Sequence, residues 1–171
     1  MKIIKYFFEF IFVIIFFSLF KILGPKKSSY IGGKIFEIIG PIFRSEKIIH
    51  LNIKRVIPDI DNENLKKFTQ LMWNNYGRVF AEYVFIKEFR AGSLASNIEV
   101  EGKEIIKEII NNNQQVVFVS GHLSNFELMA MELEKAGINL SAIYRPLNNV
   151  FLNPLIERIR KKYICKNQIK K

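Results

Sequence analysis

His122 is the side chain in this sequence best suited to move a proton near neutral pH, and Glu127 follows it five positions later. Both lie in Val116–Glu127, VVFVSGHLSNFE, where an apolar run, Val116–Val119, stops at Ser120-Gly121. Residues five apart in one helix point about 140° away from each other. The two can therefore cooperate only if His122 sits in a loop and Glu127 in the first turn of the next helix. Gly121 permits a tight exit from a strand. A carboxylate bonded to one ring nitrogen fixes the tautomer and leaves the other nitrogen to accept a proton. That is a general base oriented by an acid, suited to activating a hydroxyl or amine. No Ser or Cys stands in an elbow motif, so direct transfer to a bound acceptor is simpler than a covalent intermediate. A purely structural alternative fits the same residues. Ser124-Asn125-Phe126-Glu127 reads as a helix capping box, with Ser124 as cap and Glu127 reaching back. No metal site is expected: His50 is distant in sequence, and no second His or Cys lies at ligand spacing.

Such a site needs a scaffold, and the surrounding pattern supplies one. Short strands are expected at Ile98–Val100, Val116–Val119 and Leu140–Tyr144. Helices are expected at Lys103–Ile110, Asn125–Ala136 and Asn153–Tyr163. Strands alternating with helices indicate an α/β fold with a parallel sheet, and sites in such sheets lie beyond the carboxyl ends of the strands. His122 falls at that edge, and so does Arg145, just after the third strand.

The N-terminal part has a different character. Tyr6–Leu23 is apolar apart from Glu9, Ser18 and Lys21. As a helix it would be about 27 Å long, close to the thickness of a bilayer core. Glu9 and Lys21 lie near its ends, where they can reach headgroups. No small-x-small cleavage site follows, which favours a retained anchor over a signal peptide. A helix lying in the interface is the alternative. Lys21, Lys26, Lys27 and Lys34 follow the segment against Lys2 and Lys5 before it, placing the globular part in the cytoplasm. Gly24-Pro25 breaks this helix. Tyr30–Ile39, interrupted by Gly32, Gly33 and Lys34 and closed by Gly40-Pro41, is too short to span and reads as an amphipathic or re-entrant segment on the membrane surface. Ile42–Ile57 reads as a helix with a basic side that either meets anionic lipid or is simply solvated. Asp59 or Asp61 caps a helix carrying Leu65, Phe68, Trp73, Val79 and Val84. The expected division is an anchor over 1–23, a basic membrane-surface segment over 24–58 and the α/β part over 59–171.

Composition agrees with a mixed chain. Hydrophobic residues make up 49%, rich for a soluble domain and poor for a polytopic one. The net charge of +10 suits anionic lipid, an acidic protein or nucleic acid. Nucleic-acid binding is not expected, because the charge is spread along an apolar, anchored chain that lacks any nucleic-acid motif. Cys165 is the only cysteine, so no intrachain disulfide can form.

Ser120-Gly121-His122-Leu123-Ser124-Asn125-Phe126-Glu127 resembles the GH-x-x-NWE form of the HX4D/E motif of the lipid A biosynthesis late acyltransferases (lauroyl and myristoyl transferases). Tyr144-Arg145-Pro146-Leu147-Asn148-Asn149 resembles the family's following block, and Leu155 through Arg160 the helix after it. Asn52–Pro58 and Tyr76-Gly77-Arg78…Glu82 resemble its upstream blocks. Phe126 stands where Trp is commoner. Family members are longer, so the chain resembles the N-terminal portion of such an enzyme, with a partial parallel or mixed sheet of the glycerolipid-acyltransferase type. The resemblance implies transfer of a fatty acyl group from acyl carrier protein to a hydroxyl of a lipid A precursor at the inner membrane, without a cofactor. It implies His122 as base, Glu127 as its orienting and charge-stabilising partner, and Arg145 holding developing negative charge or a phosphate. Asn125 would be a hydrogen-bond partner behind them or a helix-start residue. An acyltransferase on another lysolipid or glycolipid shares the motif. A membrane-associated binding fragment with no catalysis is the reading from a different class.

Overall fold

A glycine at φ 78°, Gly24, and a proline at the first helical position, Pro25, divide the apolar N-terminus into two helices. The computed structural model describes residues 2–171. Helix α1 runs Lys2–Leu23 and α2 runs Pro25–Phe43. Then come α3 (Glu46–Val56), α4 (Asn62–Glu82), a 3-10 turn at Tyr83–Phe85 and α5 (Ile86–Ala91). A second 3-10 turn at Ala95–Asn97 leads to α6 (Lys103–Asn111), α7 (Glu127–Lys135), strand β1 (Ser141–Tyr144), α8 (Leu152–Tyr163) and strand β2 (Asn167–Lys170). The described chain is mostly helical and forms two compact units, Phe16–Val84 and Met1–Ile15 with Phe85–Lys171.

In the first unit α2 packs along α4, and glycine lets them approach. A Cβ on Gly32 would lie 2.5 Å from the Gly77 carbonyl oxygen, and one on Gly40 would lie 2.2 Å from Cδ2 of Trp73. Glycine in a helix costs about 1 kcal/mol relative to alanine, so these positions are explained by contact rather than propensity. The expected closure at Gly40-Pro41 does not occur. The glycines face α4, and α2 continues through Pro41 to Phe43. The expected helix over Ile42–Ile57 accordingly begins later, at Glu46. Asp61 caps α4 as its position suggested, accepting from the Asn64 backbone N–H at 2.8 Å. Phe17, Phe20 and Phe36 meet Phe80 of α4 at centroid distances of 5.2, 6.3 and 5.4 Å.

Polar groups complete this seam. Ser28 Oγ donates to the Phe20 carbonyl, Ser29 Oγ donates to Glu82, and Arg78 donates to Asn74 and Ser29. Glu37 accepts from Lys34 at 2.9 Å, Gln70 at 3.0 Å and Asn74 at 2.6 Å. The Lys34 ammonium is the main cause holding the Glu37 carboxyl below its ordinary 4.5; partial burial opposes this, while Gln70 and Asn74 add to it. A depressed carboxylate contributes stability that is present above its unfolded value and lost as pH falls through the folded one. Thermal melting should therefore weaken as pH drops below about 4.5, and Glu37→Gln should flatten that dependence. Superimposable pH profiles for the two proteins would refute this.

In the second unit β1 and β2 pair in parallel, Ser141 opposite Asn167 through Tyr144 opposite Lys170, with α8 as the crossover. Phe85, Ile86, Met131, Leu133, Ile164 and Cys165 form the core. Two expected strands are absent from the described residues. Ile98–Val100 follows the 3-10 turn and has no strand partner among the described residues. Val116–Val119 is likewise unpaired, with Val117 and Val119 each 90% exposed. A strand exists only through its ladder bonds, and among the described residues the sheet contains β1 and β2 alone.

Helix α1 at 22 residues is about 33 Å long and is apolar enough to cross a membrane. Its first turns pack on this second unit. Phe7 and Phe10 meet Phe151 at 5.8 and 6.1 Å. Glu9 accepts from Asn149 Nδ2 at 3.0 Å, and the Tyr6 carbonyl accepts from the same nitrogen at 2.9 Å. The charge inside this apolar helix thus has a protein partner, not only a place near headgroups.

Candidate active site

The segment between the unpaired Val116–Val119 and α7 turns back on itself at Ser124, whose φ of 48° is left-handed. That conformation is uncommon for a residue other than glycine. Gly121, expected to provide the tight exit, does not adopt it: positive φ among the described glycines occurs at Gly24, Gly102 and Gly137. The turn lays the His122 imidazole over the Phe126 ring, with centroids 4.2 Å apart and planes 27° apart. His122 is exposed. Neither of its ring nitrogens has a hydrogen-bond partner among the described residues. A stacked, open imidazole of this kind can exchange a proton with a bound molecule.

Glu127 is the first residue of α7 and is only 8% exposed. Its place at the helix N-terminus favours negative charge. Arg160, from α8, donates Nε to Oε1 at 3.0 Å and to Oε2 at 3.2 Å, and its terminal nitrogen to Oε1 at 2.5 Å. The sequence suggested two partners for this carboxylate, and the geometry gives a third. No hydrogen bond joins Glu127 to His122 among the described residues. The capping-box geometry is not formed either: α7 starts after Phe126 with no side-chain cap, and Ser124 is left-handed. A buried carboxylate requires a cation, and α8 supplies it.

Arg145 follows β1 directly, is exposed, and makes no hydrogen bond or ion pair among the described residues. Asn125 is half-buried; its carbonyl accepts from the Leu128 N–H at 3.1 Å as α7 begins. No hydrogen bond ties either residue to His122 among the described residues. Groups of three or more His, Cys, Asp or Glu side chains that could hold a metal ion are absent from the described residues.

Arg160 and Asn149, given no role of their own from the sequence, hold these elements in place. Arg160 fixes α7 to α8. Asn149, buried, accepts from the Phe151 and Leu152 backbone N–H groups at 3.0 and 3.1 Å and so opens α8, while its amide nitrogen reaches α1. The one signal for Arg160 was a helix-start carboxylate with no cation nearby in sequence. Arg90 of α5 adds a second brace, donating to the Tyr163 carbonyl at 3.0 Å and pairing with Glu134 of α7.

No curated protein and no solved structure gives a significant match to this chain. A family model, that of the bacterial lipid A biosynthesis acyltransferases, matches residues 1–166. The match takes in α1, the His122–Glu127 segment, β1 and all of α8, and this chain belongs to the bacterial lipid A biosynthesis acyltransferase family.

Proposed function

We propose that the chain transfers a fatty acyl group from acyl carrier protein to a hydroxyl of a lipid A precursor, working at the cytoplasmic face of the inner membrane. The observation that carries this is an exposed imidazole, open at both nitrogens, set five residues before a buried carboxylate that an arginine holds. His122 takes the proton of the acceptor hydroxyl as its oxygen attacks the thioester carbonyl. The new C–O bond forms, the C–S bond breaks, and the proton passes to the departing sulfur. General base catalysis of this kind contributes about 10²–10⁴-fold.

Glu127 orients and charge-stabilises His122 once substrate is bound. Catalytic hydrogen bonds are often loose without substrate and tighten in the complex. Arg145 holds the developing oxyanion or an acceptor phosphate, and Asn125 supports the loop from behind. Residues 1–23 anchor the chain, 24–58 lie on the membrane surface, and the remainder carries the transfer site. The basic character of the chain attracts both an acidic carrier protein and an anionic lipid.

The Glu127–Arg160 pair favours one second reading, in which that carboxylate is structural and the chain binds lipid without catalysis. The two separate in a transfer assay. Membranes carrying the chain are given labelled acyl carrier protein and a tetra-acylated lipid A precursor. His122→Ala should reduce transfer by at least about 10²-fold at unchanged membrane level. Transfer that persists in this variant refutes His122 as the base, and lipid binding with no transfer in the native chain favours the second reading. A panel of lysolipid and glycolipid acceptors identifies the acceptor.

A further inference from the structure

A groove of about 510 Å³ lies within the unit formed by residues 16–84, between the end of α2, α3 and the middle of α4. This is within the range of about 300–1,000 Å³ typical of small-ligand cavities. Phe36, Phe43, Ile49, Ile53, Met72 and Trp73 line it, with the polar groups of Asn52 and Tyr76 beside them, so its walls are mostly apolar. Trp73, one of its wall residues, is 8% exposed. Arg44, which also lines the groove, is exposed and unpaired among the described residues. Lys47, Lys54 and Arg55 of the adjoining α3 are exposed and likewise make no ion pair among the described residues; Glu46 is the one acid on that helix. The apolar surface also continues outward through Ile42, Phe43, Leu51 and Val56, all exposed.

We infer that this groove takes one acyl chain of an anionic phospholipid from the surrounding bilayer, with its phosphate at Arg44. The apolar walls match the chain, and the unpaired cations match the phosphate. A zwitterionic lipid offers the same chain and phosphate but no net charge. Charge therefore makes the selection. This site is separate from the transfer chemistry and does not depend on it.

Trp73 is the only tryptophan, so its fluorescence reports on its own groove. The full chain is placed in vesicles of phosphatidylcholine containing a fixed fraction of phosphatidylglycerol, with bromines on the acyl chains of one lipid or the other. Brominated phosphatidylglycerol should quench Trp73 at about fivefold lower mole fraction than brominated phosphatidylcholine, the effect of one cation at an anionic surface. Arg44→Ala should bring that ratio near one with unchanged helical circular dichroism. Ile53→Phe, which fills the groove, should weaken quenching by both lipids. Equal quenching by the two lipids in the native chain overturns the inference, as does absence of quenching. Selectivity that survives Arg44→Ala also overturns it. Should Arg44→Ala misfold, Ile53→Phe decides: undiminished quenching in that variant overturns the proposal.

Discussion

Arg160→Ala should destabilise the chain by about 3–5 kcal/mol and abolish acyl transfer with it. The carboxylate of Glu127 is buried at the start of α7, and Arg160 supplies a cation to it. Removing that cation leaves a charge in a poorly solvated place, which costs more than the pair itself contributes. At about 2–4 °C per kcal/mol for a chain of this size, the melting temperature in detergent should fall by at least about 6 °C. Arg160→Lys should recover only part of the loss, because an ammonium cannot reproduce the two-nitrogen fork. The double variant Glu127→Leu with Arg160→Met should melt near the native temperature, since apolar replacement of a whole buried pair is often neutral or better. That same variant should not transfer acyl groups. Arg160→Ala melting with the native protein would mean that the pair does not hold α7 to α8.

The second large effect concerns Gly77. Helix propensity alone makes Gly77→Ala stabilising by about 1 kcal/mol. The packing says the opposite. A Cβ there would lie 2.1 Å from the Gly32 carbonyl oxygen and 2.6 Å from its carbon, and backbone atoms of a packed helix cannot step aside. Overpacking of this kind costs about 1–3 kcal/mol. Gly77→Leu should force α2 and α4 apart and release the Ser29, Arg78 and Glu82 hydrogen bonds that cross the seam. Gly121→Ala is the matched control. Its added methyl would meet only the Leu123 side chain at 3.4 Å, so its melt should stay within about 0.5 kcal/mol of native. The measurement is thermal unfolding of the three variants side by side. A stabilised Gly77→Ala would show that the helices can part at no cost.

These two residues also mark where reading the sequence stopped. Local signals carried far. The Gly24-Pro25 break, the Asp61 cap, the third strand and the helix after it stand within a few residues of where pattern and turn chemistry placed them. What failed was information held in distant partners. Gly40 read as the close of a segment because nothing in α2 itself reveals the facing Trp73, nor that Gly32 and Gly33 face Gly77 and Asn74. Val116–Val119 has the residues of a strand, yet forms no ladder. At the site, spacing could place His122 in a loop and Glu127 at a helix start, and both are there. It could not name Arg160, 33 residues downstream and one of several basic side chains on α8.

The hydrogen bonds from Asn149 to Tyr6 and Glu9 carry one more consequence, this one in time. They join residues about 140 positions apart in the chain. A ribosome adding about 5–20 residues per second makes Asn149 roughly 7–28 seconds after Glu9. For that interval the apolar face of α1 exists without the loop that later covers part of it. Helix formation itself takes about a microsecond, so α1 is a finished apolar rod long before its protein partner is synthesised. Under the proposed anchoring of residues 1–23, lipid shelters this helix first, and the rest of the chain then assembles on it.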